Sequence, residues 1–301
     1  MAHDEFLLEG LRGDAVFCLW QNAPAVIIGL NQSAYAEVNL PYLEANGITL
    51  ARRVTGGGAV YHDLGNLNYS IAGPAREVES YYDLMADALR QLGLPAERTG
   101  RNDILVDGLK CSGWAKRLSK DRMMIHGTLM WDVDFEALTE ALAVPGSKLS
   151  AAGIASVRSR VCNLRPLLPQ FKTLEEFRDA LHGILADGSQ EISLTEAQKA
   201  QITQRAKEKF STWEWIYGRS PKTEFKSTKK FPCGTVTAHY TLTHGVFSEL
   251  EFTGDFIGSR SALELSAALI GKRLEDVLSQ PVQDYFEGVT PQEFLSVFHQ
   301  L

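Results

Sequence analysis

Arg52-Arg53-Val54-Thr55-Gly56-Gly57-Gly58-Ala59-Val60-Tyr61-His62-Asp63 is the stretch from which the rest of the chain is read. Three consecutive glycines let a backbone pass close to a ligand and aim successive N–H groups at it, a geometry suited to phosphate or carboxylate oxygens. Two arginines just upstream add donors and positive charge. The segment is neither a Walker loop, which needs Gly-Lys-Ser/Thr, nor the GxGxxG turn of a dinucleotide site. A glycine-rich surface turn is the competing reading of the triplet alone. The arginine pair, and the strand pattern that resumes after the glycines, weigh against it.

Downstream, Gly100 to Gly113 contains Asp107-Gly108, a strong two-residue hairpin signal. That turn sets Val106 opposite Leu109, Leu105 opposite Lys110, Ile104 opposite Cys111 and Asp103 opposite Ser112. Ile104, Val106, Leu109 and Cys111 then share an apolar face, and Asp103, Leu105, Lys110 and Ser112 share the other. Asp103 and Lys110 become diagonal neighbours off the core. Such a pair could grip a metal–phosphate group: the lysine neutralises charge as an acyl phosphate forms, and the carboxylate holds Mg²⁺. An ordinary surface ion pair, contributing roughly 0–1 kcal/mol, is the alternative. Two further segments, His126-Gly127-Thr128 and Gly153 to Leu164 with Arg158 and Arg160, read by themselves as a turn and a solvated basic loop.

Around these motifs the pattern alternates between strand and helix. Val16–Trp20 and Ala25–Ile28 read as the two arms of a hairpin about Gln21-Asn22-Ala23-Pro24. The uncharged run from Ala15 to Ala36 is broken by Gln21, Asn22, Pro24, Asn31 and Gln32, so it is not read as a membrane span. Ser80 and Asp83 offer caps for a helix ended by Gly93 and Pro95. Thr173 with Glu176 begins a second helix, and a third covers about 195–210. The lysine-dotted stretch Lys222 to Lys230 is taken as the boundary between a domain of residues 1–217 and one of residues 222–301. In the latter, Val236, Ala238, Tyr240 and Leu242 alternate, His244-Gly245 turns, and the pattern resumes at Val246 to Phe252. A helical pattern follows from Ser261, which makes a small α+β unit.

Bulk composition excludes several classes. The chain has 301 residues, 45% of them hydrophobic, and a formal net charge of −7, so the broad basic footprint of a nucleic-acid binder is missing. Cys18, Cys111, Cys162 and Cys233 are scattered without a CxxC pair, which suggests neither zinc nor a disulfide framework and suits a reducing cytoplasm. Acids at Asp4 and Glu5 stand where a signal peptide carries lysines. A cytoplasmic protein free of membrane and nucleic acid is expected, with a monomer as the default.

The motifs together resemble the lipoate–protein ligase family. Its pattern of two arginines, Ser or Thr, a glycine triplet, Ala-Val, His-Asp, Gly-Asn and Asn is met by Arg52 to Asn68. Its Asn-Asp and Lys-x-Ser-Gly-x-Ala are met by Asn102-Asp103 and by Lys110 to Ala115. His126 to Leu129 and Ser156 to Leu164 match its next two segments. The resemblance runs nearly the whole length, the segment around Trp213-Glu214-Trp215 included. It implies an α+β fold: a biotin/lipoate-ligase-like catalytic domain, related to class II aminoacyl-tRNA synthetase cores, with a small α+β accessory domain. It implies formation of lipoyl-AMP from lipoate and ATP with Mg²⁺ as counter-ion, no permanently bound cofactor, and transfer to a lysine. Acceptors would be the lipoyl domains of 2-oxoacid dehydrogenase E2 subunits and the glycine cleavage H protein.

By the same resemblance Lys110 is the catalytic lysine. Arg53, Gly57, Gly58, Ala59, Val60, Asn102, Asp103, Ser112, Gly113 and Ala115 line the acyl-adenylate site, as do His126, Gly127, Thr128, Ala152, Ser156 and Arg158. Tyr35, Arg53 and His62 fall at the lipoate pocket, with a core aromatic as the other reading of Tyr35, and Asp103 is the candidate Mg²⁺ contact. The chain departs from the family at its start, which lacks a further strand and a Phe-Asn-x-Ala motif. It also departs at Cys111, where a small apolar residue is common. The alternative is an octanoyl/lipoyl amidotransferase of the same fold, which needs a nucleophilic cysteine. A ligand sensor without chemistry is a third reading, and it would tolerate Lys110→Ala.

Overall fold

The computed structural model describes residues 1–100, 102–142 and 160–298. Two compact units emerge. One comprises Met1–Leu30 and the described parts of Leu43–Leu142 and Leu149–Thr212. The other comprises Asn31–Tyr42 and the described part of Trp213–Leu301.

The first unit is organised by a six-stranded sheet in the order β1-β5-β9-β8-β7-β6, formed by β1 (Val16–Trp20), β5 (Asn66–Pro74), β6 (Ala96–Thr99), β7 (Asp103–Val106), β8 (Leu109–Ser119) and β9 (Arg122–Met130). All its pairings are antiparallel. β5 shows why the sheet has two unlike faces. Leu67, Tyr69 and Ile71 alternate into the main apolar cluster, whereas Asn66, Asn68 and Ser70 alternate to the opposite face, and all six are buried. The apolar face is covered by helices Leu84–Gln91 and Leu174–Leu185. Phe177 is fully buried there and stacks on Trp131 at 4.7 Å, a contact of the kind that stabilises by roughly 2–3 kcal/mol per buried ring. The polar face is left to α1 (Ala2–Glu9) and to a smaller sheet, β3-β2-β4, made of β2 (Ala25–Ile28), β3 (Thr49–Arg52) and β4 (Val60–His62).

Several sequence readings are corrected here. The strands at 16–20 and 25–28 exist but form no hairpin: β1 pairs with β5, and β2 pairs with β3 in parallel and with β4 antiparallel. β2 is buried along its entire length, and a strand flanked on both sides satisfies its backbone groups inside a core. The turn residues therefore carry the chain from one sheet to the other. Asp83 does not cap its helix; its carboxylate accepts from Arg98 Nε at 2.6 Å. Thr173 does cap its own, accepting from Glu176 N at 3.2 Å. The third helix is α-helical over Glu196–Arg205 and ends in a π turn over Ala206–Phe210.

In the second unit, β10 (Thr223–Phe231), β11 (Gly234–Thr243) and β12 (Val246–Gly254) form an antiparallel meander. The lysine-rich stretch taken as a boundary is thus a strand. Ser227 and Phe231 are buried while Lys226 and Lys230 are exposed, so the charges mark the wet side of β10 rather than a linker. Helix Ala262–Leu269 and the short turns after it cover the other side through Phe286, Phe294 and Val297. Among the described residues no helix is long and apolar enough to cross a membrane.

Candidate functional site

The polar face of the six-stranded sheet is the floor of a cavity of about 610 Å³, its open mouth included. Asn68 pairs with Thr128 and Ser70 with His126 across β5 and β9, so four polar residues stand side by side where a core would normally be apolar. Arg53, Gly57, Gly58, Ala59 and Val60 line the cavity from the connection between β3 and β4, with His62 just beyond. Asn102, Lys110, Gly113 and Ala115 line it from β7, β8 and the turn before them, and His126, Gly127 and Thr128 from β9.

The hairpin that delivers Lys110 turns at Asp107 and Gly108, both with positive φ (50° and 78°), as a tight two-residue turn requires. Its register holds for Val106–Leu109 and Leu105–Lys110 and then slips. A bulge sets Ile104 opposite Ser112 and Asp103 opposite Gly113. This corrects the expected faces. Ser112 is moved to the core side and is fully buried, while Gly113 takes its place beside Asp103. A Cβ at Gly113 would lie 3.1 Å from both Cε and Nζ of Lys110, so glycine there leaves room for the lysine. Lys110 Nζ lies 2.7 Å from Asp103 Oδ1, both side chains about one-third exposed. The backbone of Lys110 is pinned from its other edge: its N–H donates to Arg160 O at 2.9 Å, and its O accepts from Cys162 N at 3.0 Å.

The arginine pair does not stand free above the glycines. Arg52 is fully buried and donates through Nη1 to the carbonyls of Gly29 and Leu30 at 3.0 and 3.1 Å. Arg53 donates to Thr55 Oγ1 (3.0 Å), Ile27 O (2.9 Å), Gly56 O (2.8 Å) and Gly58 O (2.7 Å). Its guanidinium holds the glycine loop shut, and burial lowers its pKa to about 10. Gly57 adopts φ 93°, and a Cβ there would come 2.9 Å from Arg53 Nη2. Both facts require glycine at this one position.

Beneath the floor runs a chain of hydrogen bonds invisible to motif reading. Trp20 Nε1 donates to Ser70 Oγ at 2.9 Å, and Ser70 Oγ donates to Asp4 Oδ1 at 2.7 Å. The other Asp4 oxygen is 2.8 Å from His126 Nδ1, and His126 Nε2 is 2.7 Å from Thr55 Oγ1. Burial pushes the Asp4 carboxyl up, but the His126 bond and charge and the Ser70 hydroxyl outweigh it and hold the group well below the ordinary range. An ionised Asp4 only accepts, so His126 carries its proton on Nδ1. His62, fully buried with its Nδ1 3.0 Å from Asn22 Nδ2, is pushed down to about 3, mainly by burial and then by the neighbouring His126 and Arg53.

Of the other residues expected at the site, Asp103 stands one step behind the cavity wall, on Lys110. Tyr35 belongs to the second unit, where its ring packs against Tyr217 at 5.5 Å and against that unit's apolar cluster. Ala152, Ser156 and Arg158 lie outside the described residues. Sequence reasoning missed Trp20, Ile27, Asn68 and Trp114, all of which line the cavity. The alternation Asn66, Asn68, Ser70 against Leu67, Tyr69, Ile71 was the signal that could have found Asn68. Cys111 is fully buried, its Sγ 3.4 Å from Ile104 O, and burial pushes its thiol up to about 12. No thiolate is available there for nucleophilic attack.

Residues 1–186 match the lipoyl protein ligase A/B catalytic domain, and residues 220–298 match the bacterial lipoate protein ligase C-terminus. A lipoate–protein ligase of Bacillus subtilis (strain 168) is 37% identical over 316 aligned positions, which cover 99% of this chain and 96% of the relative. Among solved structures, a bipartite lipoate protein ligase described with its E2 lipoyl domain from Thermoplasma acidophilum superimposes with a TM-score of 0.67 at 31% identity, covering 74% of this chain and 92% of the other. A lipoate–protein ligase A bound with ATP gives a TM-score of 0.62 at 30% identity, covering 72% and 92%.

Proposed function

Because the chain belongs to the lipoate–protein ligase family, we propose that it condenses lipoate with ATP to lipoyl-AMP and then transfers the lipoyl group to a lysine of a lipoyl carrier domain. One observation carries the reading: Lys110 and the glycine pair Gly57-Gly58 line a single cavity. In the first half-reaction a lipoate carboxylate oxygen attacks the α-phosphorus and the bond to pyrophosphate breaks. Negative charge accumulates on the α-phosphate oxygens as this happens. The Lys110 ammonium, pinned at its backbone and given room by Gly113, supplies the compensating charge. In the second half-reaction an acceptor amine forms the amide, AMP leaves, and a proton is released.

The glycine loop, held by Arg53, closes over the acyl-adenylate, while Asn102 and Thr128 offer polar contacts and Ala59, Val60 and His62 flank the acyl chain. Mg²⁺ arrives as the counter-ion of ATP. Asp103 would be its candidate protein contact, and the ion would neutralise phosphate charge as pyrophosphate leaves. Among the described residues no group of three or more His, Cys, Asp or Glu side chains is arranged to hold a metal of its own. A permanently bound cofactor forms no part of the proposal. The adenylation chemistry is assigned to residues 1–217, with residues 222–301 as the accessory domain. Acceptors are lipoyl domains of 2-oxoacid dehydrogenase E2 subunits and the glycine cleavage H protein, met in the cytoplasm by a monomer. The amidotransferase alternative is disfavoured because Cys111 is buried and protonated.

The test is direct. A purified lipoyl domain incubated with the protein, lipoate, ATP and Mg²⁺ should gain the mass of one lipoyl group, and omission of ATP should abolish the gain. Modification that proceeds without ATP from a lipoylated donor would sink the ligase reading in favour of the amidotransferase.

A further inference from the structure

Five hydrogen bonds run in line beneath the glycine loop, and the chemistry of the two ends fixes the direction of every proton between them. At one end the Trp20 indole, which can only donate, places Nε1–H 2.9 Å from Ser70 Oγ. Ser70 therefore turns its own proton to Asp4 Oδ1 at 2.7 Å. At the other end the Arg53 guanidinium, also a donor only, places Nε 3.0 Å from Thr55 Oγ1. Thr55 accepts there and turns its proton to His126 Nε2 at 2.7 Å. An imidazole that accepts at Nε2 carries its proton on Nδ1, and that proton faces Asp4 Oδ2 at 2.8 Å. Both halves converge on one carboxylate.

The network reaches the cavity at two places. His126 lines it directly, and Arg53 holds the glycine loop through the carbonyls of Gly56 and Gly58. That loop rests over the strand pair that carries His126. A Cβ at Gly57 would lie 3.9 Å from the Cβ of Ala115, the residue opposite His126 on β8. Asp4 itself lies on α1, 1% exposed and outside the cavity wall. A buried carboxylate is costly, and an apolar side chain at this position would be the cheaper way to pack a helix on a sheet. What the carboxylate adds is a pair of acceptors at fixed angles, which hold the imidazole in one tautomer and one orientation.

We propose that Asp4 is a positioning residue: by fixing the His126 tautomer it keeps Thr55 turned to Arg53, and so holds the glycine loop where the acyl phosphate forms. The inference rests on the ligase reading above, which makes that loop a wall of the adenylation site. Asparagine at this position offers one acceptor and one amide N–H where two acceptors are needed. With the amide facing His126, the ring takes its proton on Nε2 and Thr55 loses the acceptor for its own.

The experiment measures lipoate-dependent exchange of labelled pyrophosphate into ATP for the wild type, Asp4→Asn, Thr55→Val and the double variant, each checked for native circular dichroism. Each single change should lower kcat roughly tenfold or more and leave KM for ATP within about threefold, because the loop is displaced while Lys110 is untouched. The double variant should lose no more than the worse single one, since both break the same chain. In protein labelled with ¹⁵N-histidine, wild-type His126 should be protonated at Nδ1 alone, and Asp4→Asn should shift its proton toward Nε2. Folded single variants with wild-type kcat, or losses that multiply in the double variant, would overturn the inference while leaving the ligase reading intact. A wild-type His126 protonated at Nε2 would overturn it as well, and this measurement with Thr55→Val still decides if Asp4→Asn does not fold. No exchange by the wild type would overturn the ligase reading, and this inference with it.

Discussion

Lys110→Ala should separate activity from stability, and the structure sets the size of each effect. Among the described residues the side chain makes one ion pair, to Asp103 at 2.7 Å, with the two groups 37% and 35% exposed. Solvent screens a pair of that exposure, so its loss costs roughly 0–1 kcal/mol of folding stability. For a domain of this size that lowers Tm by no more than about 4 °C. The two backbone hydrogen bonds of residue 110 survive the change, because alanine keeps both N–H and C=O. The transition state is affected far more. A positioned cation facing developing phosphate charge is worth about 3–4 kcal/mol, so lipoate-dependent pyrophosphate exchange should fall by roughly 10²–10³ in kcat. Exchange kinetics, run beside a thermal melt on the same preparation, read both numbers. A folded variant that exchanges within about threefold of the wild type, a barrier change under roughly 0.7 kcal/mol, would refute the placement of Lys110 at the reacting phosphate.

Gly113→Ala should act through the same lysine. The new Cβ at 3.1 Å from Lys110 Cε and Nζ pushes the flexible end of that side chain, so kcat should drop roughly tenfold or more while stability changes by less than about 1 kcal/mol; unchanged exchange kinetics would contradict this. Cys111→Ser should retain ATP-dependent lipoylation per folded molecule and lose stability by about 1–2 kcal/mol, because a hydroxyl replaces a thiol in the apolar cluster. Complete loss of transfer by a folded Cys111→Ser enzyme would revive a nucleophilic cysteine. His62 gives a pH prediction. Its folded pKa of about 3 lies below the unfolded value near 6.5, so its contribution is complete above about pH 6.5 and is lost as pH falls toward 3. Unfolding free energies from urea titrations between pH 7 and 5 should decline in the wild type by at most about 1.4 kcal/mol per pH unit from this group. They should decline less in His62→Gln, and equal slopes would count against a buried neutral imidazole.

Much of the site was legible without coordinates because its residues are local in sequence. Gly57 needs positive φ and Asp107-Gly108 needs a tight turn, and both requirements are written in residue types a few positions apart. The helix from Leu174 was readable for the same reason: Thr173 sits where its oxygen meets the N–H of Glu176. Readings that required knowing which strands meet fared differently. Val16–Trp20 and Ala25–Ile28 have correct bounds, yet adjacency along the chain said nothing about their belonging to two sheets. The bulge beyond Leu105 is likewise absent from the residue pattern, which fitted a straight hairpin equally well.

The sequence alone determined the chemistry available: a glycine loop, a lysine beside an aspartate, a histidine and the family to which they belong. Tertiary structure decided what each of these groups does. Arg52 and Arg53 look like anion ligands in a linear reading, but the fold turns them onto backbone carbonyls of Gly29, Leu30, Ile27 and Gly58. Asp4, with no motif to mark it, and Thr55, whose motif does not say what it touches, become the two supports of His126, from positions 122 and 71 residues away. Short-range preferences are encoded in neighbouring residues, whereas burial and long-range pairing are properties of the packed whole. The roles of Trp20, Asn68 and Asp4 emerged only once β1, β5 and α1 had been brought to one face of one sheet.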